Sequence, residues 1–339
     1  MKIILKTIKG LIMLLALLII IYLLGPKVVA PDLSKDLPKV TSDLVRLESE
    51  IIARENENTA IKPDNEARII WFDSVPRKTA YSIVYLHGWS ASQEEGDPIH
   101  LETAKRYGCN LYLPRLAGHG LTEDEPMLNL TANQVIESAK EAISVGKQLG
   151  EKVIVMGTST GGTLALHLAG GDKAIASLLL YAPNIEIYDP SAKLLAKPWG
   201  LQLAKLVKGS DYHEFDRNID LKNKYWTTKY RLEALTHLQA MVAYTMVPET
   251  FSAVTQPTFM GYFYKNDTLQ DNVVSVPAML YMFDQLGTKD SLKRKVAFPN
   301  AGNHVITSYV SSKDLESVKM ETNRFFEEIL QIQPKLSKD

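Results

Sequence analysis

Along most of this chain, short runs of apolar and β-branched residues alternate with longer stretches in which apolar positions recur every three or four residues. The short runs predict strands at Arg68 to Phe72, Ser82 to Leu86, Asn110 to Leu113, Val153 to Met156, Ser177 to Tyr181, Thr258 to Phe263 and Lys295 to Phe298. The longer ones predict helices at Ile99 to Tyr107, Ala132 to Leu149, Thr160 to Leu168, Val276 to Leu286 and Leu315 to Leu330. Several strands are apolar at every position, as strands covered on both faces must be. The alternation therefore predicts an α/β fold whose sheet is mostly parallel and flanked by helices.

Three stretches depart from this rhythm. Lys2, Lys6 and Lys9 precede an unbroken apolar run from Leu11 to Leu24, closed by Gly25 and Pro26. That run is short for a spanning helix and has the length of a secretory signal. Pro31 follows the one small-residue cleavage site, at Ala30, and favours an uncleaved anchor, with secretion after cleavage as the alternative. The lysines predict a cytoplasmic amino terminus and an exported remainder. Next, residues 31–66 form a polar connector in which Leu44, Leu47, Ile51 and Ile52 repeat at helical spacing behind the capping candidates Thr41 and Ser42, predicting a short amphipathic helix packed on the main domain. Third, residues 184–256 separate two core strands by roughly seventy residues, too many for a plain crossover, and carry helical patterns of their own. They predict a helical cap within a domain spanning residues 67–333, and its leucines are available both to helix cores and to a substrate pocket.

Composition narrows the possibilities. Apolar residues make up 45% and charged residues 23% of 339, as in a globular protein with a sizeable core. The 38 basic and 39 acidic side chains nearly cancel, so nothing in the charge balance favours nucleic acid as a partner. Cys109, the single cysteine, excludes an intrachain disulfide framework and reads as a buried strand residue. No histidine stands with Asp or Glu at a metal-ligand spacing above chance.

The candidate chemistry begins at Gly157-Thr-Ser159-Thr-Gly161, between an apolar strand and a helix. A bare G-x-S-x-G is a weak signal, but this context is the one a nucleophile elbow requires: a tight, strained turn that lifts the serine hydroxyl above the sheet, with small residues where strand and helix approach. A phosphate loop is disfavoured because G-x-x-x-x-G-K-[ST] is absent.

Tyr85-Leu-His87-Gly88-Trp89 ends an earlier strand, and Leu113-Pro-Arg-Leu-Ala-Gly118-His119-Gly120 follows the next. With the elbow, these motifs resemble the α/β-hydrolase family, particularly its monoacylglycerol-lipase-like and carboxylesterase members, over about Ala67 to Leu330. The resemblance implies the α/β-hydrolase fold and an oxyanion hole made by the backbone N–H groups of Trp89 and Thr160. It makes His87 and His119 structural. His304, in the glycine-containing loop after the last strand, occupies the place of the family's catalytic base, a role suited to imidazole near neutral pH. For the third member, counting from the end of strand Thr258 to Phe263 selects Asp267. Counting back from the helix near Val276 selects Asp271, through Asp271-Asn-Val-Val-Ser. Asp271 is the expected acid and Asp267 the alternative.

The expected activity is that of a serine hydrolase acting on a small-molecule or lipid ester through an acyl-enzyme, without metal or organic cofactor. A peptidase or amidase of the same fold is the nearest alternative and calls for an anchor for a peptide amino terminus, which Glu94, Glu95 and Asp97 could supply. A non-catalytic receptor of the same fold would predict a broken triad, whereas Ser, Asp and His survive here in order.

Overall fold

A computed structural model describes residues 2–215 and 220–335. Seven strands form one sheet: β1 (Arg68–Ile70), β2 (Thr79–Leu86), β3 (Asn110–Leu113), β4 (Gly150–Thr158), β5 (Ile175–Tyr181), β6 (Thr258–Tyr262) and β7 (Lys293–Ala297). Their order is β1-β3-β2-β4-β5-β6-β7, all pairs parallel except β1 with β3. Each strand lies where the hydrophobic pattern places one, with ends shifted by a few residues.

Alternate residues of a strand point to opposite faces, and both faces are covered. Val84 and Leu86 pack with Val153 and Val155 beneath helices α4 (Ala132–Leu149) and α5 (Thr160–Ala169). Ile83 and Tyr85 pack with Ile154 and Met156 beneath α3 (Ile99–Tyr107) and α11 (Leu315–Arg324). The last predicted helix does not continue as an α-helix to Leu330: a π turn, Phe325–Ile329, follows α11. The widened turn lets two consecutive aromatics face the core, Phe325 against Phe259 and Phe326 stacked on Tyr107.

Between β5 and β6 stand a 3-10 turn (Pro190–Ala196), α6 (Gly200–Lys208), α7 (Asp220–Tyr225), α8 (Leu232–Thr245) and α9 (Pro248–Ala253). Leu238, Met241 and Val242 of α8 join the main core, whereas α6 keeps Leu203, Leu206 and Val207 exposed. Helix α10 (Val276–Gln285) precedes β7.

At the amino terminus, α1 (Lys2–Leu23) is longer than the uninterrupted apolar run because Ile4, Leu5 and Ile8 extend it, giving one helix long and apolar enough to cross a membrane. Its end is held on the α6 side of the insertion: Trp199 donates its backbone N–H to Pro26 O (2.8 Å) and Nε1–H to Ile21 O (3.1 Å). Helix α2 (Leu44–Glu57) is capped by Asp43, not by Thr41 or Ser42, since Asp43 Oδ1 accepts from the N–H groups of Val45 and Arg46. Leu47 and Ile51 enter the core and Ile52 stays exposed. From the same helix, buried Glu55 pairs with Arg115 (2.7 Å) and accepts from Ala67 N (3.0 Å), tying the connector to the loop after β3.

Candidate active site

β4 ends at Thr158 and α5 begins at Thr160, leaving Ser159 between them at φ 54°, ψ −117°. A non-glycine residue there costs on the order of 1–3 kcal/mol and needs its surroundings to hold it. They do: Ser159 N donates to Tyr181 O (3.0 Å), and Ser159 O accepts from the N–H groups of Gly162 (2.9 Å), Thr163 (3.2 Å) and Asn184 (2.9 Å). The flanking glycines let the elbow exist. A Cβ on Gly161 would lie 1.8 Å from Leu86 O, and one on Gly157 would lie 2.6 Å from the Gly161 backbone.

His304 projects from the loop after β7. Its Nδ1 stands 2.6 Å from Asp271 Oδ2, and Asp271 Oδ1 accepts from the N–H groups of Val273 (2.8 Å) and Val274 (3.0 Å). Asp271 is wholly buried. Asp267 is exposed and accepts from Tyr264 Oη (2.7 Å). The two sequence counts conflict because Tyr264–Asn266 and Leu269–Gln270 pair as a small hairpin that loops out of the connection. Asp271 N then donates to Phe263 O (3.1 Å), which returns Asp271 to the strand end. Burial alone would depress the His304 imidazole. The charge and hydrogen bond of Asp271, with a contribution from Glu95, outweigh it and hold the imidazole above its ordinary value.

In the loop after β2, the N–H of Trp89 donates to no group among the described residues, and neither does that of Thr160 at the start of α5. The loop is braced from below. His87 Nδ1 lies 3.0 Å from Gly88 O, and its Nε2 accepts from Leu116 N (3.1 Å), which assigns Nδ1 as the protonated nitrogen. His119 Nδ1 lies 2.8 Å from Ala117 O within its own turn. Burial pushes both imidazoles down, His119 to about 4, so both are neutral. Glu95, which the sequence offered only as part of an acidic run, is buried beside Gly88 and accepts its N–H (2.5 Å).

Ser159, Thr160, Trp89, Glu95 and His304 all line one cavity of about 1100 Å³. No hydrogen bond joins Ser159 to His304 among the described residues; apo sites often hold this contact open until substrate enters. The insertion supplies Leu194, Leu195, Leu203, Leu235 and Leu238 to the cavity wall. Asn184, which the sequence reading missed, also lines it with Oδ1 buried and without a partner among the described residues. No motif marks Asn184; its place follows from the bond of its N–H to Ser159 O. Among the described residues no group of His, Cys, Asp and Glu could hold a metal ion.

Comparison with known proteins gives a consistent picture. The profile described as "Alpha/beta hydrolase family" matches residues 83–330. A thermostable monoacylglycerol lipase of Bacillus sp. (strain H-257) is 34% identical over 87 residues, 26% of this chain and 34% of the lipase, so the match spans about a third of that relative's length. Among solved structures, one reported for the metagenome-derived lipolytic enzymes LipS and LipT superposes with TM-score 0.62 at 17% identity, covering 79% of this chain and 99% of that one. A monoacylglycerol lipase of Paleococcus ferrophilus gives 0.53 at 14% identity over 76% of this chain and 95% of its own. Est1E of Butyrivibrio proteoclasticus, with ferulic acid bound, gives 0.52 at 16% identity over 81% and 100%. At these identities the structural likeness is one of fold.

Proposed function

The chain belongs to the α/β-hydrolase family, and from that premise we propose that it is a membrane-anchored serine hydrolase that cleaves carboxylic esters with an apolar acyl group. In this reading Ser159 Oγ attacks the ester carbonyl while His304 takes its proton, and Asp271 holds the imidazole in the required tautomer and stabilises the imidazolium. The tetrahedral oxyanion accepts from the N–H groups of Trp89 and Thr160, each worth about 2.7–4 kcal/mol when preorganised. Collapse expels the alcohol, which receives the proton from His304. A water deprotonated by His304 then hydrolyses the acyl-enzyme and regenerates Ser159.

One observation carries the reading: a strained serine, the imidazole of His304 backed by buried Asp271, and two backbone N–H groups uncommitted among the described residues border one cavity. Ester rather than peptide substrates are favoured by the leucines that the insertion lends to the wall, and by the acidic run, whose Glu95 carboxylate is engaged by Gly88 N and whose Glu94 is bound to Tyr309. The lipase and esterase names of the relatives point the same way. Residues 1–30 serve as the anchor, residues 31–66 as the connector, and residues 184–256 as the cap of a catalytic domain spanning 67–333. The contact of Trp199 with Pro26 and Ile21 favours an anchor that remains attached.

The test is labelling of the detergent-solubilised chain with a fluorophosphonate, followed by turnover of aryl esters of increasing acyl length beside aminoacyl amides. Labelling lost in Ser159→Ala and a preference for esters are expected. A folded protein that takes up no probe, or that prefers the amides, overturns the assignment.

A further inference from the structure

Glu95 stands where four structural elements meet, and the reaction above gives it no part. In the sequence it belongs to the run Glu94, Glu95 and Asp97, but the fold separates these side chains. Glu94 faces outward to Tyr309 Oη (2.6 Å), whereas Glu95 is 2% exposed and turned into the site. Its Oε2 accepts from Gly88 N (2.5 Å) and lies 3.3 Å from Tyr85 Oη on β2. That tyrosine hydroxyl also reaches Thr158 Oγ1 (2.9 Å), directly before the nucleophile. Thr158 Oγ1 in turn faces Thr307 Oγ1 (3.4 Å), which donates to Glu95 O (2.8 Å). A Cβ on Gly88 would lie 2.7 Å from Glu95 Oε1 and 3.2 Å from Ser159 Cβ, so carboxyl and nucleophile flank one glycine. The Glu95 carboxylate thus joins the Trp89 loop to β2, the Tyr85 hydroxyl carries the link on to the elbow, and the backbone carbonyl of Glu95 receives the loop that carries His304.

We propose that Glu95 is a positioning residue of the site: by accepting the Gly88 N–H it fixes the backbone that presents Trp89 N–H, and its charge, when ionised, stabilises the imidazolium of His304. This rests on the reading of His304 as the base and Ser159 as the nucleophile. Burial lifts the Glu95 carboxyl to about 7, although the Gly88 N–H, the charge of His304 and the Tyr85 hydroxyl all favour the anion. The groups around it are Tyr85, whose ring meets His100 of α3 edge-on at 4.8 Å, and His304, which lines the same cavity and is backed by Asp271. Lys222 lines the same cavity, and Glu94, bound to Tyr309, is the acid whose charge acts on Asp97 and Tyr225. The two forms differ in consequence. Neutral Glu95 sets no negative charge beside the oxyanion and lets His304 act as free base. Ionised Glu95 holds a proton on His304.

The test is an NMR pH titration of the His304 imidazole in the full chain in detergent, the resonance being assigned by its loss in His304→Gln. Glu95→Gln keeps an oxygen that can accept the Gly88 N–H and removes the charge. The His304 midpoint is expected to fall by about one pH unit, the low end of what an opposite neighbouring charge produces, and the acid limb of kcat/KM to move with it at unchanged KM. Tyr85→Phe removes a donor that favours the anion and should shift the midpoint the same way by less, a second measurement should the glutamine variant fold poorly. A residue of purely architectural importance would lower the folded fraction without moving the midpoint. Midpoints that superimpose on the unaltered chain overturn the proposal whether or not the protein hydrolyses esters. A shifted midpoint in a chain that labels with no fluorophosphonate would instead overturn the hydrolase reading and leave the electrostatic link standing.

Discussion

Two opposing effects act on the His304 ring: burial disfavours its imidazolium, and the Asp271 carboxylate at Nδ1 more than offsets that. A base whose pKa is raised stays protonated to higher pH, so the free base is lost on acidification through a midpoint above the ordinary 6.5. The acid limb of the wild-type kcat/KM profile is therefore expected above that value. Asp271→Asn should lower that limb and reduce kcat by about 10³–10⁴-fold, because an amide at Nδ1 favours the wrong tautomer. Asp267→Asn, exposed beside Tyr264, should leave kcat within about twofold, as surface changes generally do. Steady-state kinetics of the two variants across pH checks both outcomes. Ser159, His304 and both aspartates were legible as residues in the sequence. The sequence favoured Asp271, the aspartate that reaches the ring, but left Asp267 open, because the hairpin that reconciles the two counts exists only once Asp271 N has found Phe263 O.

The elements owe their places to different forces. Central strands were legible because covering both faces of a parallel sheet demands continuous apolar runs, such as Val153 to Met156, which no other short element needs. The connector helix was legible through its spacing, but its anchoring was not: Glu55 and Arg115 lie far apart in the chain and carry no joint motif. Both are largely buried, at 4% and 11% exposure, so breaking the pair leaves a charge without its partner. Glu55→Ala is expected to destabilise the protein by about 3–5 kcal/mol, read as a lower denaturant midpoint. Replacing both residues by methionine should recover much of that loss. A Glu55→Ala chain as stable as the parent would show that the connector contributes little to the fold.

For the whole molecule, the insertion between β5 and β6 walls the cavity that Ser159 lines. Leu235 of α8 lines the cavity, so Leu235→Trp should shorten the acyl chain that fits. The expected outcome is a loss of tenfold or more in kcat/KM for long esters, equivalent to about 1–3 kcal/mol, with short esters unchanged; an acyl-length series measures it. The same insertion touches the end of α1 through Trp199, so the apolar amino-terminal helix ends beside α6, whose residues wall the cavity. In alkaline carbonate extraction the full chain should stay in the membrane pellet, and a chain lacking residues 1–24 should leave it while still hydrolysing short esters. Recovery of the full-length gene product in the medium, beginning near residue 31, would instead identify a cleaved signal.

Local sequence determined whatever depends on near neighbours: strand and helix type, the elbow with its two glycines, the Trp89 loop, and the order of Ser159, the two aspartates and His304. These follow from backbone sterics and hydrophobic periodicity, which act over a few residues. Tertiary structure alone decided the contacts between residues far apart in the chain. It closed the alternative that the sequence left beside Asp271, turned Glu95 inward while Glu94 faces out, joined Glu55 to Arg115 and set Trp199 on Pro26. In each case burial and hydrogen bonding reward a pairing that no local pattern encodes, because the partners are chosen by the packing that brings them together.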